Sequence, residues 1–203
     1  SSLTSPYHIY QNPGTYTVSL SAMSTICSDD TMITVQVAPA PQAMFSTATT
    51  NVCSPGDIQF SNTTTGSPVF TWDFGDGGAT SSLRNPLHTY TSPGTFTVSL
   101  IASLGSCADT TIIPAMINVL ASPLADFSFS SPCINDSVQF TNLSQAQGST
   151  ITSYNWNFGD GSAVSSLQNV KHAYTNAGTY SINLVVQSSN GCADTVIKAI
   201  TVL

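Results

Sequence analysis

The chain has 203 residues, a net charge of −7 and only 6% charged residues, against roughly 25% in an average soluble domain. Its only basic residues are Arg84, Lys171 and Lys198, too few to build a phosphate-binding surface, which excludes nucleic-acid binding and argues against docking on anionic lipid. No run approaches the roughly 20 apolar residues needed to span a bilayer, so direct membrane insertion is not expected.

In chain order, His8-Ile9-Tyr10 leads through Pro13-Gly14 into a run that places Tyr16, Val18 and Leu20 on one face of a strand. Val35-Gln36-Val37 closes a terminal strand before the connector Ala38-Pro39-Ala40-Pro41. Shorter alternation follows at Ile58 to Phe60, then the segment Trp72-Asp73-Phe74-Gly75-Asp76-Gly77. His88-Thr89-Tyr90 and Pro93-Gly94 lead into Thr95 to Leu100, where Phe96, Val98 and Leu100 share a face. Ile117-Asn118-Val119 ends before Ala121-Ser122-Pro123. Alternation resumes at Ala125 to Phe129, Val138 to Phe140, Tyr180 to Val186 and Thr195 to Val202. Gly, Pro, Asn and Asp punctuate these runs and no stretch keeps a helical period, so an all-β, antiparallel sandwich architecture is expected.

The elements repeat. Trp156-Asn157-Phe158-Gly159-Asp160-Gly161 lies 84 residues after Trp72-Asp73-Phe74-Gly75-Asp76-Gly77. The His-x-Tyr and Gly-Thr-aromatic segments occur three times, from His8, His88 and His172. Such a period is a whole domain. Three units follow: 1–38 as the second half of a module, then complete modules at 39–120 and 121–203. A lone half implies a window onto a longer array, and the short Pro-containing connectors imply a semi-rigid, head-to-tail rod.

The Trp-Asp-Phe-Gly-Asp-Gly motif, with Asn85-Pro86-Leu87-His88-Thr89-Tyr90 and Pro93-Gly94-Thr95-Phe96-Thr97-Val98-Ser99-Leu100, closely resembles the PKD (polycystic kidney disease) domain. The resemblance implies tandem immunoglobulin-like sandwiches in an extracellular spacer or binding module.

Several residues read as fold determinants. Trp72 and Trp156 fill the space between sheets, Gly77 and Gly161 serve positive-φ turns, and Gly94 and Gly178 open a strand. His88 and His172 lie beside the Gly-Asp-Gly turn, on the same strand face as a core Tyr. No nucleophile stands in a catalytic context and Glu is absent, so no catalytic residue and no cofactor are assigned. Calcium is the alternative reading of the turn carboxylates, with hard oxygen ligands from Asp73 and Asp76 and, in the last module, Asn157 and Asp160.

The cysteines recur as Cys53 and Cys133 after a first strand, and Cys27, Cys107 and Cys192 at the opening of a last strand. This usage fits an oxidising, extracellular compartment. Counting favours pairs within modules, Cys53–Cys107 and Cys133–Cys192. Sandwich topology places those positions at opposite ends and favours Cys53–Cys192 between modules, with Cys107 and Cys133 pairing up and down the array. Both connectivities stay open.

Asp30-Thr31-Met32, Asp109-Thr110-Thr111, Asp136-Ser137-Val138 and Asp194-Thr195-Val196 are similar to the O-glycosylation tripeptide of exported Bacteroidota proteins, making Thr31, Thr110, Ser137 and Thr195 acceptors. Asn62, Asn135 and Asn142 open N-glycan sequons. Together these features resemble type IX-secreted bacterial surface adhesins of the gliding-motility type. The expected function is a non-catalytic stalk whose partners are neighbouring modules of the same chain, with lateral self-association or surface polysaccharide as further partners. The competing reading is a carbohydrate- or protein-binding accessory module of a secreted polysaccharide-degrading enzyme. Such a module needs an exposed aromatic platform, for which Tyr7 and Tyr154 are the candidates.

Overall fold

The computed structural model describes residues 2–66, 68–130 and 136–203, and in it the chain is built of strands. β1 (Gly14–Met23) and β2 (Ser28–Val37) form an antiparallel hairpin. The next module contains β3 (Phe45–Thr47), β4 (Asn51–Cys53), β5 (Gly56–Asn62), β6 (Val69–Asp73), β7 (Leu87–Tyr90), β8 (Gly94–Leu104) and β9 (Cys107–Leu120). The last contains β10 (Phe127–Phe129), β11 (Ser137–Asn142), β12 (Ile151–Asn157), β13 (Val170–Ala173), β14 (Gly178–Ser188) and β15 (Ala193–Val202).

Each complete module is a two-sheet sandwich. In the first, β3-β5-β7 faces β4-β9-β8-β6, and in the second β10-β11-β13 faces β12-β14-β15. The period-2 pattern works as the sequence requires. Val98, Leu100 and Ala102 of β8 are fully buried, as are Ile182, Leu184 and Val186 of β14, with more accessible residues between them. The module's entering chain serves both sheets, since β3 pairs antiparallel with β5 whereas β4 pairs parallel with β9.

Trp72 and Trp156 are completely buried and centre the two cores. Phe45 meets Trp72 edge-on at 5.0 Å and Phe60 lies 5.5 Å from it; Phe127 and Phe140 repeat this around Trp156 at 5.2 and 5.9 Å. The indole N–H, which burial would otherwise leave unpaired, donates to the Leu83 carbonyl at 2.9 Å and to that of Leu167 at 2.8 Å.

Two positions depart from expectation. Tyr154 packs partly buried against the second core, so it offers no sugar platform; Tyr7 is 85% exposed. Asn62 is buried, and its carbonyl oxygen accepts from the Thr64 N–H, so its amide is inaccessible to a glycan. Asn135 lies outside the described residues.

The two turn glycines have different duties. Gly159 (φ +76°) lies so close to β14 that a Cβ would come within 2.6 Å of the Ser181 carbonyl, whereas Gly161 (φ +81°) faces open space. Gly161→Ala is therefore expected to cost only the left-handed backbone, about 1–2 kcal/mol. Gly159→Ala adds a clash with backbone worth about 1–3 kcal/mol more. Urea unfolding should rank the two in that order, and equal losses would contradict the close approach.

Candidate functional site

The recurring turn is a closed network of local bonds. Asp73 Oδ1 accepts the Gly75 N–H at 2.9 Å, and Asn157 Oδ1 accepts that of Gly159 at the same distance. Such an Asx bond is available to Asp and Asn alike, which is why the substitution between modules is tolerated. Asp76 Oδ1 accepts the Gly78 N–H, and Oδ2 lies 2.8 Å from His88 Nε2. Asp160 repeats this with Ser162 and, at 2.7 Å, with His172. Each imidazole stacks on a phenyl ring, His88 on Phe74 at 3.9 Å and His172 on Phe158 at 4.1 Å. The buried Tyr90 and Tyr174 hydroxyls donate to the Phe74 and Phe158 carbonyls.

These bonds set the carboxylate chemistry. Burial pushes Asp160 up, but the Ser162 hydroxyl, His172 and the Ser162 amide outweigh it and bring the group to about 2. Asp76 is also lowered, with burial opposed by His88 and the Gly78 amide. Burial, together with the nearby carboxylates, raises both Tyr90 and Tyr174.

Among the described residues, no three His, Cys or Asp side chains converge as a metal site. Calcium takes six to eight oxygens, while the turn carboxylates already accept bonds from amides and histidines. Asp76 and Asp160 each accept an amide and a histidine bond, whereas Asp73 and Asn157 each accept one amide. The turn is a lock between β6 and β7, and likewise between β12 and β13.

The second notable place is the junction between modules, where Cys53 and Cys192 form a disulfide with Cα atoms 5.7 Å apart. Cys53 is in register with Leu120, the last residue of β9, so it lies at the module's exit. Cys107 pairs across the hairpin with Leu104 at the other end of β9. About 13 residues of strand separate those ends, roughly 40 Å, which rules out a Cys53–Cys107 bridge of ordinary geometry. Cys192 is buried in the turn between β14 and β15, where its N–H donates to Asn190 Oδ1 and its carbonyl accepts from Ser188. Asn190 Nδ2 in turn donates to the Ala121 carbonyl of the connector. A cleft of about 480 Å³ opens beside the bridge, lined in part by Ser54, Pro55, Pro93, Gln147 and Asp194. Cys27 is exposed and Cys107 half-buried, both as free thiols; Cys133 lies outside the described residues.

Sequence reasoning missed a clamp at each module's start. Asp109 Oδ2 accepts the Ala43 N–H at 2.8 Å, and Asp194 Oδ2 accepts that of Ala125 at 2.8 Å. Thr111 adds a bond from its hydroxyl to the Ala43 carbonyl. The tripeptide Asp is thus a tie between the last strand and the incoming chain, bridging 66 and 69 residues. Register also corrects the alignment of the tripeptides. Asp109 opposes Ala102 and Asp29 opposes Ala22, so Asp29 is the counterpart of Asp109, and Thr31 that of Thr111. Thr31 therefore stands one position away from Thr110 and Thr195. All four acceptor candidates, Thr31, Thr110, Ser137 and Thr195, are exposed.

Two sandwiches in tandem, each locked by the same aromatic turn and bridged at their junction, define an array of immunoglobulin-like modules. The chain belongs to the PKD domain family, whose model matches residues 36–119 and again 120–202. It is similar to the PKD1 domain of Vibrio anguillarum Epp, with 31% identity, a TM-score of 0.38, and coverage of 40% of this chain and 93% of that one. The PKD1 domain from the Vibrio cholerae metalloprotease PrtV is 34% identical, with a TM-score of 0.37 and coverage of 40% and 96%. A structure described as carbohydrate-binding modules from the β-sandwich superfamily matches at 31% identity and a TM-score of 0.38, covering 40% of this chain and 34% of that one. PKD domains are an extracellular type of module, typically without catalytic function.

The Asp160 carboxyl is more acidic folded than unfolded, so the unfolded chain binds more protons on acidification. The stability it contributes is present above about pH 4 and lost as the pH falls toward 2. Asp160→Asn should flatten that part of the stability–pH curve, read by urea titrations from pH 5 to 2. An unchanged slope would contradict the assignment.

Proposed function

We propose that this chain is part of the stalk of a large extracellular bacterial surface adhesin or filament, and that its modules act as non-catalytic spacers. The Cys53–Cys192 bridge carries this reading. A binding domain needs a face for its ligand, whereas a stalk needs each module fixed to the next, and the cystine spans that junction. It closes a loop of 139 residues, which in the chain-entropy model restricts the unfolded state by about 5 kcal/mol. By repetition, Cys107 bonds to a first-strand Cys of the module before and Cys133 to a last-strand Cys of the module after.

The surface fits the same role. It is rich in hydroxyls and nearly free of lysine, and Thr110, Thr195 and Ser137 stand exposed as glycan acceptors on a bacterial cell surface. Export by a type IX route and lateral association of Thr-rich faces complete the proposal. The large aromatics of the two complete modules are concentrated in their cores, which weighs against the accessory sugar-binding alternative.

Small-angle scattering and double-label distance measurements test the stalk directly. The oxidised chain should give one narrow distribution of distances between the two complete modules. Reduction or Cys53→Ser should broaden it while leaving the fold of each module intact. A distribution indifferent to reduction, with the chain retained on insoluble polysaccharide, would favour the accessory-module reading instead.

A further inference from the structure

The two halves of the junction cystine have different surroundings. Cys192 is completely buried, whereas Cys53 is half-buried and lines the cleft of about 480 Å³. Pro55, Pro93 and Pro123 wall that cleft, and Asp194 is the one charged residue among the described residues lining it.

Each half is also anchored separately. The Cys192 N–H donates to Asn190 Oδ1 at 3.1 Å, and its carbonyl accepts from the Ser188 N–H at 2.8 Å and the Ser188 hydroxyl at 3.0 Å. On the other side, the Ser54 N–H donates to the Leu120 carbonyl at 2.9 Å and the Ser54 hydroxyl to the Thr91 carbonyl at 2.7 Å. These bonds do not depend on the cystine, so both cysteines keep their backbone positions when it opens.

A disulfide is opened by a thiolate that attacks one of its sulfurs, and access decides which. We propose that Cys53 is a site of reversible S-thiolation, modified through this cleft by small thiols, with Asp194 favouring cationic thiols over anionic ones. The incoming thiolate bonds to Cys53 Sγ, the Sγ–Sγ bond breaks, and its electron pair leaves on Cys192, which takes a proton from water. The incoming sulfur is oxidised to the mixed disulfide as Cys192 is reduced, so no further oxidant is needed. In the reverse step the Cys192 thiolate attacks Cys53 Sγ and expels the small thiol. The short connector between the modules keeps the effective concentration of Cys192 high, so resealing outruns loss of the pair. The junction opens as thiol rises and closes as it falls. The inference needs the bridge but not the stalk, and its failure leaves the junction as described.

The test blocks the free thiols of the full chain with iodoacetamide and then adds limiting cysteamine in neutral buffer. Acid quenching, unfolding and labelling with N-ethylmaleimide precede peptide mapping. Cysteamine on Cys53 with maleimide on Cys192 should exceed the reverse pattern roughly tenfold or more, while chain unfolded in urea should give the two within about twofold. Desalting into neutral buffer should remove the cysteamine and restore the Cys53–Cys192 pair without an oxidant. At low salt cysteamine should open the folded junction roughly threefold or more faster than mercaptoacetate, relative to their ratio on the unfolded chain. Asp194→Asn should narrow that gap. Adducts divided evenly in the folded chain, or found mainly on Cys192, would overturn the site. A mixed disulfide that persists after desalting would overturn its reversibility, and equal relative rates for the two thiols would overturn the part given to Asp194.

Discussion

The parallel pairing of β4 with β9 fixes how one module can be joined to the next. It carries the incoming chain across to the second sheet and puts Cys53 level with Leu120, at the exit. The turn of the following module, tied to the connector through Asn190, presents Cys192 at its entry. Exit and entry meet, and a bridge between modules becomes the short path. With β4 in the other sheet or in another register, neither cysteine would have that neighbour.

Within a module the corresponding constraint is the aromatic turn. Trp fills the core, Phe underlies the His, Asp holds the His from the other side, and the first Gly lets the turn lie against β8 or β14. These residues are consecutive in sequence yet touch four different elements, β3, β5, β7 and β8, so the motif recurs as a unit. The His–Asp pair resembles an acid/base couple in isolation. Its stacking on a phenyl ring and its placement beside a buried Tyr make it part of the sandwich's closure instead.

Much of this was legible in the sequence because its cause is local. Alternation gave the strands of β8 and β14, the two copies of the Trp motif gave the module period, and Gly with Asp gave the turn. What escaped depends on distant pairing. The three residues of β4 carry no periodic signal, so cysteine connectivity could not be decided. The ties from Asp109 and Asp194 to amides more than sixty residues earlier in the chain left only a short Asp-Thr repeat, which reads equally as a glycan tripeptide. Lys198 sits where β9 has Ile113, and only the fold shows why: its ammonium reaches Asp126 at 2.6 Å and lies over the Phe127 ring.

The covalent link between modules is tested most directly by non-reducing peptide mapping of the protein from its native source. Recovery of a peptide pair joining Cys53 to Cys192 is the predicted result. Recovery of Cys53 bonded to Cys107, or of both Cys53 and Cys192 as free thiols, would contradict it.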